Sequence, residues 1–276
     1  MRAPELEVVL GWAAEEGWNP GLHDAAPFLA ADPAGFLIGL IDGEPVGAIA
    51  CPRYGTGYGT DFGFVGLYLV RGDLRGRGLG VRLWEAGHAH LEGAVSALDS
   101  VDAQVSNYER AGYRAEAHTY RYCGQGPGGA PVGDPVAPTE AHWRELLEVD
   151  RRGFPARRHA FLRLWIDRPQ GRALAAQSGG RIVGFGVRRR CRVGHKIGPL
   201  FAPDRRSAES LLDGLVGDLQ LDESWWIDVP GTNPDAIALA EARDLEPGFR
   251  TARMYRGQAP EYDRSSVFGV TTLELG

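Results

Sequence analysis

The segment Tyr68-Leu69-Val70-Arg71-Gly72-Asp73-Leu74-Arg75-Gly76-Arg77-Gly78-Leu79-Gly80 carries the clearest chemical signal in the chain. It passes from an apolar run straight into residues at helical spacing, with glycines at 76, 78 and 80 and arginines at 75 and 77. Glycine lets backbone come close to a ligand, a helix start leaves N–H groups without intrahelical partners, and the helix dipole is positive there. Such a turn suits an anion, above all a phosphate or pyrophosphate. The dinucleotide fingerprint G-x-G-x-x-G is excluded because Val81 stands three residues after Gly78. A Walker A loop is excluded because the only lysine of the chain, Lys196, follows His195 and not glycine. Taken alone, the same residues also describe a glycine-rich helix entry that binds nothing.

Such a loop needs a strand before it and a helix after it, and the sequence supplies both. Residues 62–70 are a strand candidate, and in residues 79–91 Val81, Trp84, His88 and Leu91 fall on one helical face. Upstream, residues 36–41, the Asp42-Gly43 turn and residues 46–51 read as a hairpin. Downstream come a strand at 94–98, a helix, and a strand ending in Thr119-Tyr120-Arg121-Tyr122. The order then repeats. Residues 173–177, Ser178-Gly179-Gly180 and 182–187 form a second hairpin, followed by a strand at 196–202, a helix at 207–219, a strand at 225–229, a helix at 233–245, and a strand containing Thr251-Ala252-Arg253-Met254-Tyr255. Between the copies, Cys123 to Thr139 reads C-G-Q-G-P-G-G-A-P-V-G-D-P-V-A-P-T, unsuited to a helix or central strand. Two related α/β domains are expected, residues 1–123 and 139–276, joined by a linker at 124–138.

Composition narrows the function. Lys+Arg 30 against Asp+Glu 36 gives a net charge of −6, the wrong sign for binding nucleic acid through the overall field. Cys51, Cys123 and Cys191 show no C-x-x-C spacing, so neither a disulfide framework nor a zinc site is indicated and a reduced, cytoplasmic setting is expected. The longest apolar runs are of strand length, and Glu5 and Glu7 interrupt the N-terminus, so no membrane span or signal peptide is expected. His88 and His90, two apart on a helix, face different ways and make no metal pair. The run Arg188, Arg189, Arg190 and Arg192 reads as a solvated strand edge or as a site for a phosphate or acidic partner.

The loop resembles the pyrophosphate loop of the GNAT superfamily of N-acetyltransferases, R/Q-x-x-G-x-G/A, with Arg75, Gly78 and Gly80 on its defining positions. The resemblance implies an α/β (α+β) fold of two tandem GNAT-like domains, each a mixed, mostly antiparallel central sheet flanked by helices. It implies acetyl-CoA as acyl donor and no metal, with Arg75, Gly76, Arg77, Gly78, Leu79 and Gly80 at the pyrophosphate and Tyr68, Leu69 and Val70, on a splayed strand, at the acetyl and pantetheine groups. In Val105-Ser106-Asn107-Tyr108-Glu109-Arg110-Ala111-Gly112-Tyr113 the tyrosine four residues before Gly112-Tyr113 matches the family's phenol near the CoA sulfur, and Asn107 is placed at the pantetheine arm. A phenol of pKa about 10 can donate to a departing thiolate whose thiol has a pKa of about 8.5. The competing description of Tyr108 is a packing residue of an amphipathic helix.

Two departures accompany the match. Met1-Arg2-Ala3-Pro4 leaves little room for the family's first strand, and Val101 stands where many relatives carry asparagine. Trp18, Asn19 and Asp24, with Glu16, lie where the family places the loop bordering the acceptor site, although Asn19-Pro20-Gly21 also reads as a helix stop. In the second half Arg206 aligns with Arg75, but Glu209 and Leu211 replace the two glycines and no tyrosine falls opposite Tyr108. The expectation is transfer of an acetyl group to the primary amine of a small molecule or peptide, with Asp61, Glu16 and Asp24 as base candidates and a degenerate second domain. The alternative is a CoA-binding or regulatory module without turnover.

Overall fold

In the computed structural model, which describes residues 1–55, 61–129 and 134–276, the chain enters on a helix, α1 (Ala3–Glu15), with no strand before it. Leu6, Val9, Leu10 and Ala13 form its buried face, and a proline in the first turn costs no hydrogen bond. After α2 (Ala25–Ala31) comes the first hairpin, β1 (Phe36–Ile41) and β2 (Glu44–Ala50). Asp42 and Gly43 both take positive φ, +51° and +85°, as a two-residue primed turn requires. Then follow β3 (Arg53–Tyr54), β4 (Phe62–Val70), α3 (Leu79–His90), β5 (Val95–Val101), α4 (Val105–Arg110) and β6 (Arg114–Gln125).

The second half opens with two helices that the hairpin-strand-helix repeat does not predict, α5 (Trp143–Gly153) and α6 (His159–Ile166). Their apolar faces are legible afterwards: Leu146, Val149 and Gly153 on one, Phe161, Leu162 and Trp165 on the other. The repeat then runs as expected through β7 (Gly171–Ser178), β8 (Arg181–Arg190), β9 (His195–Phe201), α7 (Arg205–Val216), β10 (Ser224–Pro230), α8 (Pro234–Glu241) and β11 (Glu246–Arg256). Its hairpin turn, Gly179-Gly180, again has two positive φ values, +58° and +77°. A short β12 (Val267–Gly269) follows. No helix among the described residues is long and apolar enough to cross a membrane.

The strands form one sheet in the order β1-β2-β4-β5-β11-β6-β10-β9-β8-β7, with β3 on β4 and β12 on β9. Two neighbours are parallel, β4 with β5 and β9 with β10; the other named pairs are antiparallel. The sheet therefore does not divide where the linker divides the chain. Each half gives the last long strand of its repeat to the other: β11 pairs with β5 of the first half, and β6 pairs with β10 of the second. The two exchanged strands run against each other with Thr119 opposite Thr251. Reciprocal ion pairs fix the exchange. Arg253 donates both Nε and Nη2 to Asp99 at 2.8 Å, and Arg121 donates the same pair of atoms to Asp228 at 2.7 Å. The forked guanidinium matches the two carboxylate oxygens, so each bridge sets register as well as pairing. Of the expected linker, residues 130–133 lie outside the described residues; on either side, Gly126 donates to Glu223 O at 2.9 Å and Val136 pairs with Ala175.

One apolar core spans both halves on one face of the sheet. It joins Leu6, Val9, Leu10 and Phe28 of α1 and α2 to Phe161, Leu162 and Trp165 of α6, with the Phe28 and Trp165 rings stacked 6.1 Å apart. A separate core packs α3 on the other face through Leu83, Val65, Leu98 and Tyr113.

Candidate active site

The strand before the glycine loop opens away from its neighbour. Pairing of β4 with β5 runs from Phe62 and Val95 to Val65 and Leu98 and stops. Beyond that point β5 continues against β11, and β4 continues against β2. A bulge helps: the β2–β4 register shifts between Ala48 and Ala50, opposite buried Leu67, whose φ of +45° is unusual for a branched residue. The result is a wedge-shaped gap edged by residues 66–70. Arg71 N–H donates to Val46 O at 3.0 Å, so the alternation of a strand turns the peptide groups of Val70 toward the gap. Its carbonyl accepts there from Arg75 Nε at 2.9 Å.

The loop itself is exposed from Arg75 to Gly78. Gly76 and Gly78 take φ of +76° and +78°, and a Cβ on either would meet nothing within 4 Å, so they are needed for backbone shape and leave a bare surface. Gly78 is the N-cap of α3 and offers no side chain to its first N–H groups. Gly80 is required by contact, because a Cβ there would stand 2.8 Å from the Tyr68 hydroxyl. Arg75, with its guanidinium half exposed, pairs with Glu16, which ties the loop to the end of α1. The bare backbone N–H groups and the exposed Arg77 leave a positively polarised loop of a kind that suits an anion, while the Arg75 guanidinium is already engaged by Glu16 and the Val70 carbonyl.

Across the gap, Tyr108 packs on Trp84 at 5.5 Å between ring centres, and Tyr68 packs on the same indole at 5.5 Å. Burial, with a smaller contribution from the neighbouring Tyr68, pushes the Tyr108 phenol up to about 12. It is therefore protonated at neutral pH and can donate a hydrogen bond to charge that develops in the gap, although burial makes it a weaker acid than a free phenol. Tyr113 has a different task. Its hydroxyl joins Ser96 Oγ at 2.7 Å and His88 Nε2 at 3.0 Å while His88 Nδ1 meets Trp84 O at 3.1 Å, a chain that locks the aromatic cluster. Asn107 is exposed and bonded to Gln104 and Arg110 of its own helix, not turned into the gap.

The predicted acceptor loop proves to be a clasp between the halves. Asp24 is fully buried, with Arg168 Nη2 on one oxygen at 2.9 Å, Arg189 on the other, and Gly21 N–H at 2.8 Å. Burial raises its carboxyl, but Arg189 and then Arg168 outweigh that and hold it below the usual carboxylate range. With both oxygens committed, Asp24 cannot take up an amine. Asn19 spends its side-chain amide on the two backbone groups of Val193, at 2.8 and 3.0 Å. Trp18 packs against the shared core, and its carbonyl accepts from Lys196 Nζ at 2.9 Å. Three of the four arginines of the run are not a solvated edge, since Arg188 pairs with Asp218, Arg189 with Asp24 and Arg190 with Glu223, whereas Arg192 is exposed. Of the other base candidates, Asp61 is held by Arg53 at 2.7 Å and Glu16 by Arg75.

The second half has the same gap, filled. Pairing of β9 with β10 covers residues 195–197 and then stops, but β12 enters, pairing with Leu200 and Phe201, and Val270 N–H donates to Asp228 O at 2.9 Å. The N-terminus of α7 is capped by Asp204, which accepts from Ser207 N–H at 2.8 Å. A carboxylate thus takes the place an anion would need. No group of three or more His, Cys, Asp or Glu among the described residues is placed to hold a metal.

Sequence reasoning passed over Glu274. It is 6% exposed, its Oε2 has no hydrogen-bond partner, and its backbone lies on Gly66, the first residue of the open stretch of β4. Nothing near it in the chain signals this, since the tail after β12 carries no motif.

Comparison with known proteins agrees with this geometry. Residues 4–113 match a model of the acetyltransferase (GNAT) family and residues 146–269 match an acetyltransferase (GNAT) domain model. Holothin acyltransferase of Pseudoalteromonas sp. (strain SANK 73390) is 28% identical over 275 residues, covering 99% of this chain and 92% of that protein. Among solved structures, a putative acetyltransferase from Pyrococcus horikoshii superposes with a TM-score of 0.73 at 24% identity, over 91% of this chain and 83% of its own. A tandem GNAT protein from the clavulanic acid biosynthesis pathway superposes with a TM-score of 0.59 at 16% identity, over 94% and 98%.

Proposed function

The chain belongs to the GNAT acyltransferases as a tandem of two such domains with a degenerate second copy, and from that premise we propose that it transfers the acetyl group of acetyl-CoA to a primary amine, with the chemistry confined to the first half. The observation that carries this reading is the contrast between the halves. The first has an open gap, a bare glycine loop and a phenol; the second has β12 in the gap and a carboxylate on the helix start.

Acetyl-CoA supplies a thioester, an activated acyl group on a good leaving thiolate. The N–H groups from Gly76 to Gly80 and the guanidinium of Arg77 hold its pyrophosphate, and the backbone of residues 68–70, on the edge of β4 that β5 leaves unpaired, orients the acyl arm along the strand. Tyr108 gives its proton to the sulfur as the C–S bond breaks. With the phenol pushed up to about 12 it stays protonated and donates a hydrogen bond to the sulfur as charge develops; full transfer to a thiolate whose thiol lies near about 8.5 is uphill and is completed only as the phenol takes up the proton that the acylated amine must lose. Acceptors are small-molecule or peptide amines, and the name of the bacterial relative puts holothin first among those to try.

Two measurements test the reading. Acetyl-CoA should raise the melting temperature, and an assay of thiol release should find turnover with holothin or another member of a broad amine panel. A thermal shift without thiol release for any amine would leave a CoA-binding module in place of a transferase, and absence of any shift would remove the donor as well.

A further inference from the structure

We propose that Glu274 is the proton acceptor for the attacking amine, a base carried on the tail of the second half and delivered into the gap of the first. The inference rests on the transferase reading above and adds the group that the reading lacks. An alkyl amine of pKa about 10 is neutral in only about one part in 10³ at pH 7, so direct attack needs a base. The first-half strand β4 carries no carboxylate, and the three carboxylates that the sequence offers are all held by arginines.

Geometry places Glu274 at the gap. After β12 the chain is fastened residue by residue: Arg158 Nη2 donates to Thr271 Oγ1 at 2.8 Å, Glu274 N–H to Thr272 Oγ1 at 3.2 Å, and Tyr54 Oη to Leu275 O at 3.0 Å. This brings the Glu274 backbone onto Gly66 so closely that a Cβ on that glycine would stand 2.0 Å from the Glu274 carbonyl oxygen and 3.0 Å from its Cα. Gly66 follows Val65, the last residue of β4 paired with β5, and is therefore the vertex of the gap. The tail also sits on a definite face. Leu275 packs in the core that holds Leu67, Leu69 and α1, whereas Val65, Tyr68 and Val70 pack with α3 and Tyr108 on the other face. Acid and base thus approach the gap from opposite sides of the sheet, as transfer across it requires.

The chemistry of the group agrees with its position. A buried carboxylate oxygen without a hydrogen bond costs about 1–3 kcal/mol or more, and a native fold that keeps one calls for a reason. The charged and titratable groups around Glu274 include Asp99 on β5, Arg121 on β6, Arg189 on β8, Cys191 just after it and Lys196 on β9. Four of these already have partners: Arg253, Asp228, Asp24 and the Trp18 carbonyl respectively serve Asp99, Arg121, Arg189 and Lys196. Oε2 is left free to accept. In the step, Oε2 takes one proton from the ammonium and the freed lone pair forms the C–N bond. As the C–S bond breaks, the Tyr108 proton passes to sulfur, and the second amine proton restores Tyr108. Glu274 then gives its proton to solvent, so the products are the amide, free thiol and one proton.

The test compares Glu274→Gln and Glu274→Asp with the parent protein in the thiol-release assay, using holothin or whichever panel amine turns over, from pH 6 to the pKa of that amine, about 10. Glu274→Gln should lower kcat/KM about 10²- to 10⁴-fold at pH 7, the deficit should shrink as the amine deprotonates by itself, and the acetyl-CoA thermal shift should stay as in the parent. Glu274→Asp, which keeps the carboxylate at the wrong reach, should fall between and keep the parental shape of the pH profile. A Glu274→Gln rate equal to the parent, or a deficit constant across pH, would overturn the assignment, as would full activity in Glu274→Asp should the glutamine variant not fold. A parent that binds acetyl-CoA but acetylates no amine would remove the transferase reading and the base together.

Discussion

The clasp at Asp24 makes a sharp energetic prediction. Asp24→Asn keeps the shape of the side chain and removes its charge, leaving Arg168 and Arg189, each with a side chain 2% exposed, without a counterion. Breaking a buried ion pair from one side costs about 3–5 kcal/mol, because the remaining charge stays out of water. The faces of Trp165, 4.1 Å from the Arg168 guanidinium and 4.9 Å from that of Arg189, still attract both cations but were already doing so with Asp24 present. For a chain of this size about 2 °C accompanies each kcal/mol, so the melting temperature should fall by about 6–10 °C, with a matching drop in the urea midpoint. The sign with pH follows from the depressed carboxyl. Its stabilisation is complete above the unfolded value near 4 and disappears as pH falls through the lower folded value, so the gap between parent and variant should be constant at neutral pH and close below about pH 4. A loss under about 1 kcal/mol at pH 7 would refute the reasoning. So would an intact fold with an amine KM raised selectively, since that is the signature of an acceptor ligand and not of a clasp.

Tyr108→Phe should cut thiol release by about 10² to 10⁴ while leaving the acetyl-CoA thermal shift in place, and unchanged turnover would remove the phenol from the chemistry. Gly78→Ala forces a side chain into φ of +78° with no steric contact within 4 Å, so the backbone alone should cost about 1–2 kcal/mol in a melting experiment. The same variant should show a smaller acetyl-CoA shift, and an undiminished one would move the pyrophosphate elsewhere. Calorimetric titration with acetyl-CoA should give one site per chain, because β12 and Asp204 occupy the second; a stoichiometry of two would contradict that.

What could be read from the residues was local. The β4–loop–α3 segment announces itself because glycine, arginine and helical periodicity fall within a dozen positions, and both hairpin turns are marked by residues that tolerate positive φ. The second domain's loss of its loop was expected at Glu209 and Leu211, but both lie inside α7, and the residue that stands where Gly78 caps α3 is Asp204. What escaped depended on distance along the chain. Asp24 reads as an accessible acid beside a turn until Arg168 and Arg189, 144 and 165 residues later, close on it. The strand exchange escaped for another reason. Thr-x-Arg occurs in both terminal strands, so either strand satisfies the pattern at either place, and only the bridges from Arg253 to Asp99 and from Arg121 to Asp228 show which place each takes. Helices α5 and α6 precede the second hairpin as α1 and α2 precede the first, but their sequences share no motif that marks them as counterparts.

The exchange of β6 and β11 has a consequence for the order of events on the ribosome. When residue 123 emerges, the glycine loop, Tyr108 and most of the first domain have been made, but β5 has one edge bare and Asp99 has no cation, because the strand that completes both lies 154 residues beyond it. An unpaired edge of this kind invites pairing with other chains. The nascent first domain must therefore wait, partly assembled, for β11, and contacts so far apart in sequence form slowly. No active half can be released early by truncation, and a stalled or clipped chain should aggregate and not act as a smaller enzyme.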